Sequence, residues 1–171
     1  MNRDGIINRI RENLDDLYIM SQPPKDIAIK DTIFLDNPLI LIAPSRHPLA
    51  KLSSIPLSQL LQERFIVREK GSGTRMAIEK FFKKKKFKLN IRMELGSNEA
   101  IKETVAAGLG LGIVSEHALH GKKTDHGVTP LRVNGFPILS QWHIVYSAKK
   151  QLSPIALGFR DHLTNSFKRP S

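Results

Sequence analysis

Cysteine is absent from the 171 residues, which excludes disulfides, thiolate metal sites and thiol nucleophiles and suits a reducing cytoplasm. No apolar run approaches the ~20 residues that span a bilayer, and no cleavable secretion signal opens the chain. Acidic residues are few: 16 Asp and Glu against 27 Lys and Arg leave a formal net charge of +11. Such an excess raises nucleic acid as a partner. The densest basic run, Lys83 to Lys86, instead reads as the solvated end of an amphipathic helix, where cations suit the dipole, and no recognition helix or aromatic platform is interleaved with it. Internal repeats, heptads and low-complexity linkers are also missing. The remaining composition, 40% apolar, is that of a globular chain able to bury a core in one domain or two small lobes.

Within what is present, the stretch from Gly96 to Ser115 changes hydrophobic period twice. Before it, Leu89, Ile91, Met93 and Leu95 alternate with polar residues, the period of a half-buried strand. A helix follows, with Ile101, Val105 and Leu109 on one face and Glu99, Lys102 and Glu103 on the other. Ser97 or Asn98 can cap it, and Gly108 or Gly110 can end it. Leu111 to Val114 is then a short run fit for a buried parallel strand. In open α/β sheets ligands bind beyond the carboxyl ends of the strands, where helix N-termini present unpaired N–H groups. Gly96, Ser97 and Asn98 therefore sit where a small anion would bind, although a single capping serine, taken alone, reads first as a cap.

A second copy of the device favours the functional reading. Phe65 to Val67 reads as a strand, Gly71-Ser72-Gly73-Thr74-Arg75 as a tight loop, and Ile78, Phe81 and Phe82 as the buried face of a helix. Glycines allow close backbone approach, Ser72 and Thr74 offer hydroxyls, and Arg75 offers a forked cation. The loop lacks the ending of a nucleotide P-loop.

Along the rest of the chain, Ile6, Ile7, Ile10 and Leu14 mark a first helix capped by Asp4 or Asn2, and Leu17 to Met20, Ile27 to Leu35 and Leu39 to Ala43 read as strands. Pro56 to Leu61 is a short helix and Glu116 to His120 a brief one, and Gly121 to Gly127 is a polar loop. Val128 to Val133 and Ile138 to Ser147 are further strands, the latter with Trp142, Ile144 and Tyr146 on one face. Ser153-Pro154 opens a last helix with Ile155, Phe159 and Leu163 inward.

Pro38-Leu39 to Ala43, His47-Pro48-Leu49, Phe65-Ile66, Gly71 to Arg75, Ser97 to Lys102 and Val105 to Ile113 follow one another as in the effector-binding domain of LysR-type transcriptional regulators, which the chain resembles over nearly its whole length. Asp15 to Met20 with Gln22-Pro23-Pro24 further resembles the branch that regulates carbon fixation and inorganic-carbon uptake in cyanobacteria and plastids. The resemblance implies an α/β, two-lobed fold of the type II periplasmic-binding-protein kind with crossover strands. Residues 1–64 and 138–171 would form lobe I, residues 65–137 lobe II, and a small anionic metabolite, a carboxylate or phosphate, would sit between them. Lobe II would supply Ser72, Gly73, Thr74 and Arg75, then Ser97, Asn98 and Glu99, with Ser115 facing the same cleft. Lobe I would supply Asn2, Arg3 and Gln22.

The family's winged helix-turn-helix is absent, so DNA would be reached only through a missing N-terminal domain, and the first effector-domain strand is missing too, as in a truncated chain. The resemblance also implies a cytoplasmic or plastid-stromal protein that pairs as an antiparallel homodimer, or assembles as a tetramer, away from membranes and without a cofactor. A solute-binding protein of a transport system would share the fold but require a secretion signal. An enzyme would require a constellation that the sequence does not assemble. His117 and His120 have ligand-like spacing and His126 follows, but no further ligand is fixed, so the histidines read as surface or capping residues. Ser115 lacks an elbow motif and a base. An inert module would leave both glycine-polar loops unexplained.

Overall fold

The structure is a computed structural model that describes residues 1–121 and 127–167. In chain order the elements are α1 (Arg3–Arg11), β1 (Tyr18–Met20), β2 (Ile29–Asp36), β3 (Leu39–Pro44), β4 (Phe65–Arg68), α2 (Gly73–Lys84), β5 (Ile91–Leu95), α3 (Asn98–Ala106), β6 (Leu111–Ser115), β7 (Val128–Pro130), β8 (Gln141–Ser147) and α4 (Pro154–Ser166). Short 3₁₀ turns cover Pro48–Lys51, Leu57–Leu60 and Glu116–Leu119. The chain forms two compact units: Met1–Asp36 with the segment from Ser140 onward, and Asn37–Leu139.

In the first unit β8 lies between β1 and β2 and is antiparallel to both, with Ile144 opposite Ile19 on one side and Thr32 on the other. Ile7 and Ile10 of α1 close against Tyr18, Met20 and Val145. The Tyr18 hydroxyl ties the end of α1 to the strand, donating to the Arg9 carbonyl at 2.8 Å and accepting from the Asp15 amide at 3.0 Å. Central placement buries Val145 as well as Ile144 and Tyr146, so β8 is apolar on both faces rather than on one.

The last helix departs from expectation. Ser153 caps it, its Oγ accepting from the Ala156 amide, and Pro154 fills the first turn. However, Ile155 is 86% and Phe159 49% exposed. The inward stripe is Ala156, Arg160, Leu163 and Thr164, one residue further on. The cap fixes where the helix starts and hence its phase.

The second unit is a five-stranded sheet in the order β5-β4-β6-β3-β7, with β4 parallel to β5 and β6, and β3 antiparallel to β6 and β7. β3, assigned by sequence to the first lobe, hydrogen-bonds into this sheet, and the units part between Asp36 and Asn37. Its nearly continuous apolar run suits a strand covered on both faces. Leu39, Leu41, Phe65, Val67 and Ile113 pack with Ile78 and Phe82 of α2. Ile42, Ile66 and Val114 pack with Ile101 and Val105 of α3. The two-residue period of each strand thus divides its side chains between two helices.

Gly112 of β6 lies beneath α3, where an added Cβ would stand 2.8 Å from a methyl of Ile101 and of Val105. Both are stiff β-branched side chains. Gly112→Ala should therefore destabilise the protein by about 1–3 kcal/mol, read as a lower urea midpoint at an unchanged slope. The first unit has the smaller core and a β2 exposed along much of its length. Amides of Ile19 and Met20 should exchange with deuterium faster than those of Leu41 and Ile113, and equal protection would contradict this ranking.

Candidate functional site

Because β4, β5 and β6 run parallel, their carboxyl ends fall on one edge of the sheet. After β4 the chain turns at Gly71, whose φ of 83° favours glycine. Ser72 then caps α2, its Oγ accepting from the Arg75 amide at 3.0 Å. After β5, Ser97 caps α3 in the same way, accepting from the Ala100 amide at 3.1 Å. Each cap satisfies one of a helix's four orphan N–H groups and leaves others at this edge, with the positive end of the dipole. Gly73, Thr74 and Arg75, read from sequence as loop, form the first turn of α2. Asn98 and Glu99 open α3, and the Asn98 Oδ1 is enclosed without a partner. Ser115 ends β6 at the same edge, buried, and its Oγ donates to Asn37 Oδ1 at 2.6 Å.

Arg75 and Lys102 are already paired. Arg75 donates through Nε to Glu79 at 2.7 Å, and through Nη1 to the Glu94 carboxylate at 2.9 Å and the Arg68 carbonyl at 3.0 Å. It therefore ties the start of α2 to the ends of β4 and β5 instead of presenting a free fork. Lys102, placed by helical phase on the polar face, is only 1% exposed. Its Nζ reaches the Ala118 carbonyl at 2.7 Å and Glu99 at 2.8 Å, so a long side chain crosses the core and satisfies its charge at the far end. Sequence reasoning also missed Asn37, 1% exposed with an unpartnered Nδ2. The dipeptide Asn37-Pro38 reads as a turn, and nothing local marks its amide as buried.

In the first unit, Asn2 caps α1 by accepting from the Gly5 amide at 3.1 Å, and Arg3 Nε donates to the Gln22 carbonyl at 2.6 Å. Gln22 itself adopts φ 57°. The three expected residues of that unit are thus held together at the N-terminus of α1. His126 and the middle of the Gly121 to Gly127 loop lie outside the described residues. Among the described residues, no three His, Cys, Asp or Glu side chains converge as metal ligands.

The Glu94 carboxyl is held below its ordinary value of 4.5, first by the hydrogen bond from Arg75, against a smaller opposing cost of burial. With the folded value below the unfolded one, the stabilisation is complete above about pH 4.5 and fades as pH falls through the lower folded value. Glu94→Gln should flatten the decline of stability below that pH, and a decline as steep as the parent's in acid urea titrations would show that the pair does not act this way.

With the geometry in place, comparison with known proteins is specific. The family model described as the LysR substrate binding domain matches residues 1–168. The HTH-type transcriptional activator CmpR of Synechocystis is 46% identical over 162 residues, 95% of this chain and 53% of that protein. A RuBisCO operon transcriptional regulator of Allochromatium vinosum is 39% identical over 168 residues, 98% of this chain and 56% of that one. The chain therefore spans about half the length of these relatives. The Synechocystis CcmR regulatory domain, solved in complex with 2-PG, superposes with a TM-score of 0.92 at 44% identity, covering 98% of this chain and 81% of that one. The effector-binding domain of QuiR in complex with shikimate has the same fold at 21% identity, with a TM-score of 0.85 and coverage of 98% and 78%. The capped edge of parallel strands and these likenesses agree: the chain belongs to the LysR substrate-binding-domain family, the effector-binding part of LysR-type transcriptional regulators, and not to a family of enzymes.

Proposed function

We propose that this chain senses a small anionic metabolite of carbon metabolism, a phosphorylated or carboxylate compound such as 2-PG, and that occupancy controls transcription of carbon-metabolism genes. The observation that carries the reading is the edge where two serine-capped helices begin side by side, with Thr74 and Asn98 in their first turns. Helix N-termini bind anions through backbone amides and the dipole, without an ion pair. That accords with an edge whose Arg75 is already spoken for. The complex of the CcmR regulatory domain with 2-PG supports the ligand class.

Asn2, Arg3 and Gln22 are proposed as further ligand contacts, so that the ligand favours one conformation of the chain over another. That difference in affinity is all the energy available to move an attached DNA-binding domain. Homodimer formation and a cytoplasmic or plastid-stromal location belong to the same reading.

Calorimetry with 2-PG, 2-oxoglutarate and ribulose bisphosphate should give binding to at least one. Thr74→Ala or Ser97→Ala should weaken it by about 1 kcal/mol or more, the scale of a hydrogen bond to a charged partner. Unchanged affinity in both variants would remove the assignment. Loss of the Ser97 cap also costs about 1 kcal/mol of stability, so titration well below the melting temperature separates the two effects.

A further inference from the structure

We propose a second ligand site, for an amphipathic organic anion, at the opposite end of α2 from the serine-capped edge. A pocket of about 500 Å³ opens there between the last turn of α2, the loop that follows and the start of β5. The twelve residues of α2 place it about 18 Å from Ser72. Its volume falls in the range of small-molecule sites.

The floor is apolar and rigid. Phe82 is buried and holds Phe87 at a centroid distance of 5.2 Å, Phe65 at 6.4 Å and Phe136 at 6.2 Å, and Leu89 and Ile91 complete the floor. The rim is cationic, formed by Lys83, Lys86 and Lys88 with Glu79 as its single acid. Among the described residues none of these lysines has an ion-pair partner, unlike Arg75 at the other end of the helix.

Complementing the helix dipole accounts for Lys83 and Lys86 but not for Lys88. Lys88 lies beyond the helix, on the loop. Lys86 occupies the left-handed position that ends the helix, at φ 53°, with the Phe87 amide donating back to the Phe82 carbonyl at 3.0 Å. Glycine is the residue that this position favours, and a lysine there accepts strain. What the lysine adds is a cation beside an apolar pocket. The fitting ligand has a flat or chain-like hydrocarbon body and one carboxylate or sulfonate, the body on the phenylalanines and the head among the lysines.

The probe is 8-anilinonaphthalene-1-sulfonate, with the uncharged N-phenyl-1-naphthylamine as its control. The sulfonate should bind the parent chain, shift the amide resonances of Phe87 to Ile91, and be displaced by decanoate. The variant Lys83→Gln/Lys86→Gly/Lys88→Gln should weaken the sulfonate at least tenfold and leave the neutral dye unchanged. Lys88→Glu alone, on the loop, reports the same dependence should the triple variant unfold. Ser97→Ala should leave dye binding as it was. Equal affinity in the lysine variants overturns the proposal, as do resonance shifts centred on Ser72 and Ser97. So does a pocket silent to the dye in a chain whose self-association Ile91→Asp abolishes, since a second copy would then be its occupant.

Discussion

The placement of the candidate site depends on β4 pairing in parallel on both sides. A parallel neighbour cannot be reached by a tight turn, so the chain leaving β4 must cross a face of the sheet before it returns as β5, and cross again before β6. The two crossings are α2 and α3, one on each face. Each return strand starts at the same edge as β4, so each helix after a strand starts at the other. Two helix N-termini are thereby delivered to one edge, after the neighbouring strands β4 and β5, with no residue specifying it. Serine at each cap is a local answer to the orphan amides that this topology creates.

Charge at this edge follows a division of labour. Arg75 and Lys102 stand on the two helices, and both are consumed by carboxylates and carbonyls of the same unit. The other groups at the two helix starts are neutral: backbone N–H groups and the side chains of Thr74 and Asn98. Neutral donors fixed by helix geometry keep their orientation whether or not an anion is present, so little ordering is required on binding. Arg75 acts at one remove by fastening the first turn of α2 to β4 and β5. The Nδ2 of Asn37 and the Oδ1 of Asn98 are buried polar atoms of this unit without a partner among the described residues.

Much of this was legible in the sequence because it is local. The caps Ser97 and Ser153 and the strands β1 to β6 follow from residue type and spacing. The residues that escaped are those whose fate is set from outside their own segment. Helical phase put Lys102 outward, yet a carbonyl sixteen residues away gives its ammonium a destination inside. Periodicity offered Ile155 and Phe159 as the buried stripe of α4, and a neighbouring stripe led by Ala156 faces inward instead. β3 was readable as a buried strand, but its partners β6 and β7 lie more than sixty residues downstream, and no pattern within β3 names them.

The two ends of α2 show how one helix can present opposite electrostatics with different machinery. At its start the backbone itself is positive, Arg75 is paired and Ser72 and Thr74 are buried, so any attraction for an anion would be built from fixed dipoles in a shielded setting. At its end the backbone is negative and repels an anion, and only the lysines and the apolar floor oppose that repulsion. Those lysines are solvent-exposed, so their field is screened within about 10 Å at ordinary ionic strength. Attraction at the far end therefore weakens with salt, while attraction at the capped end depends on it far less. The part of the binding that survives at that end under high salt is what the phenylalanine floor contributes.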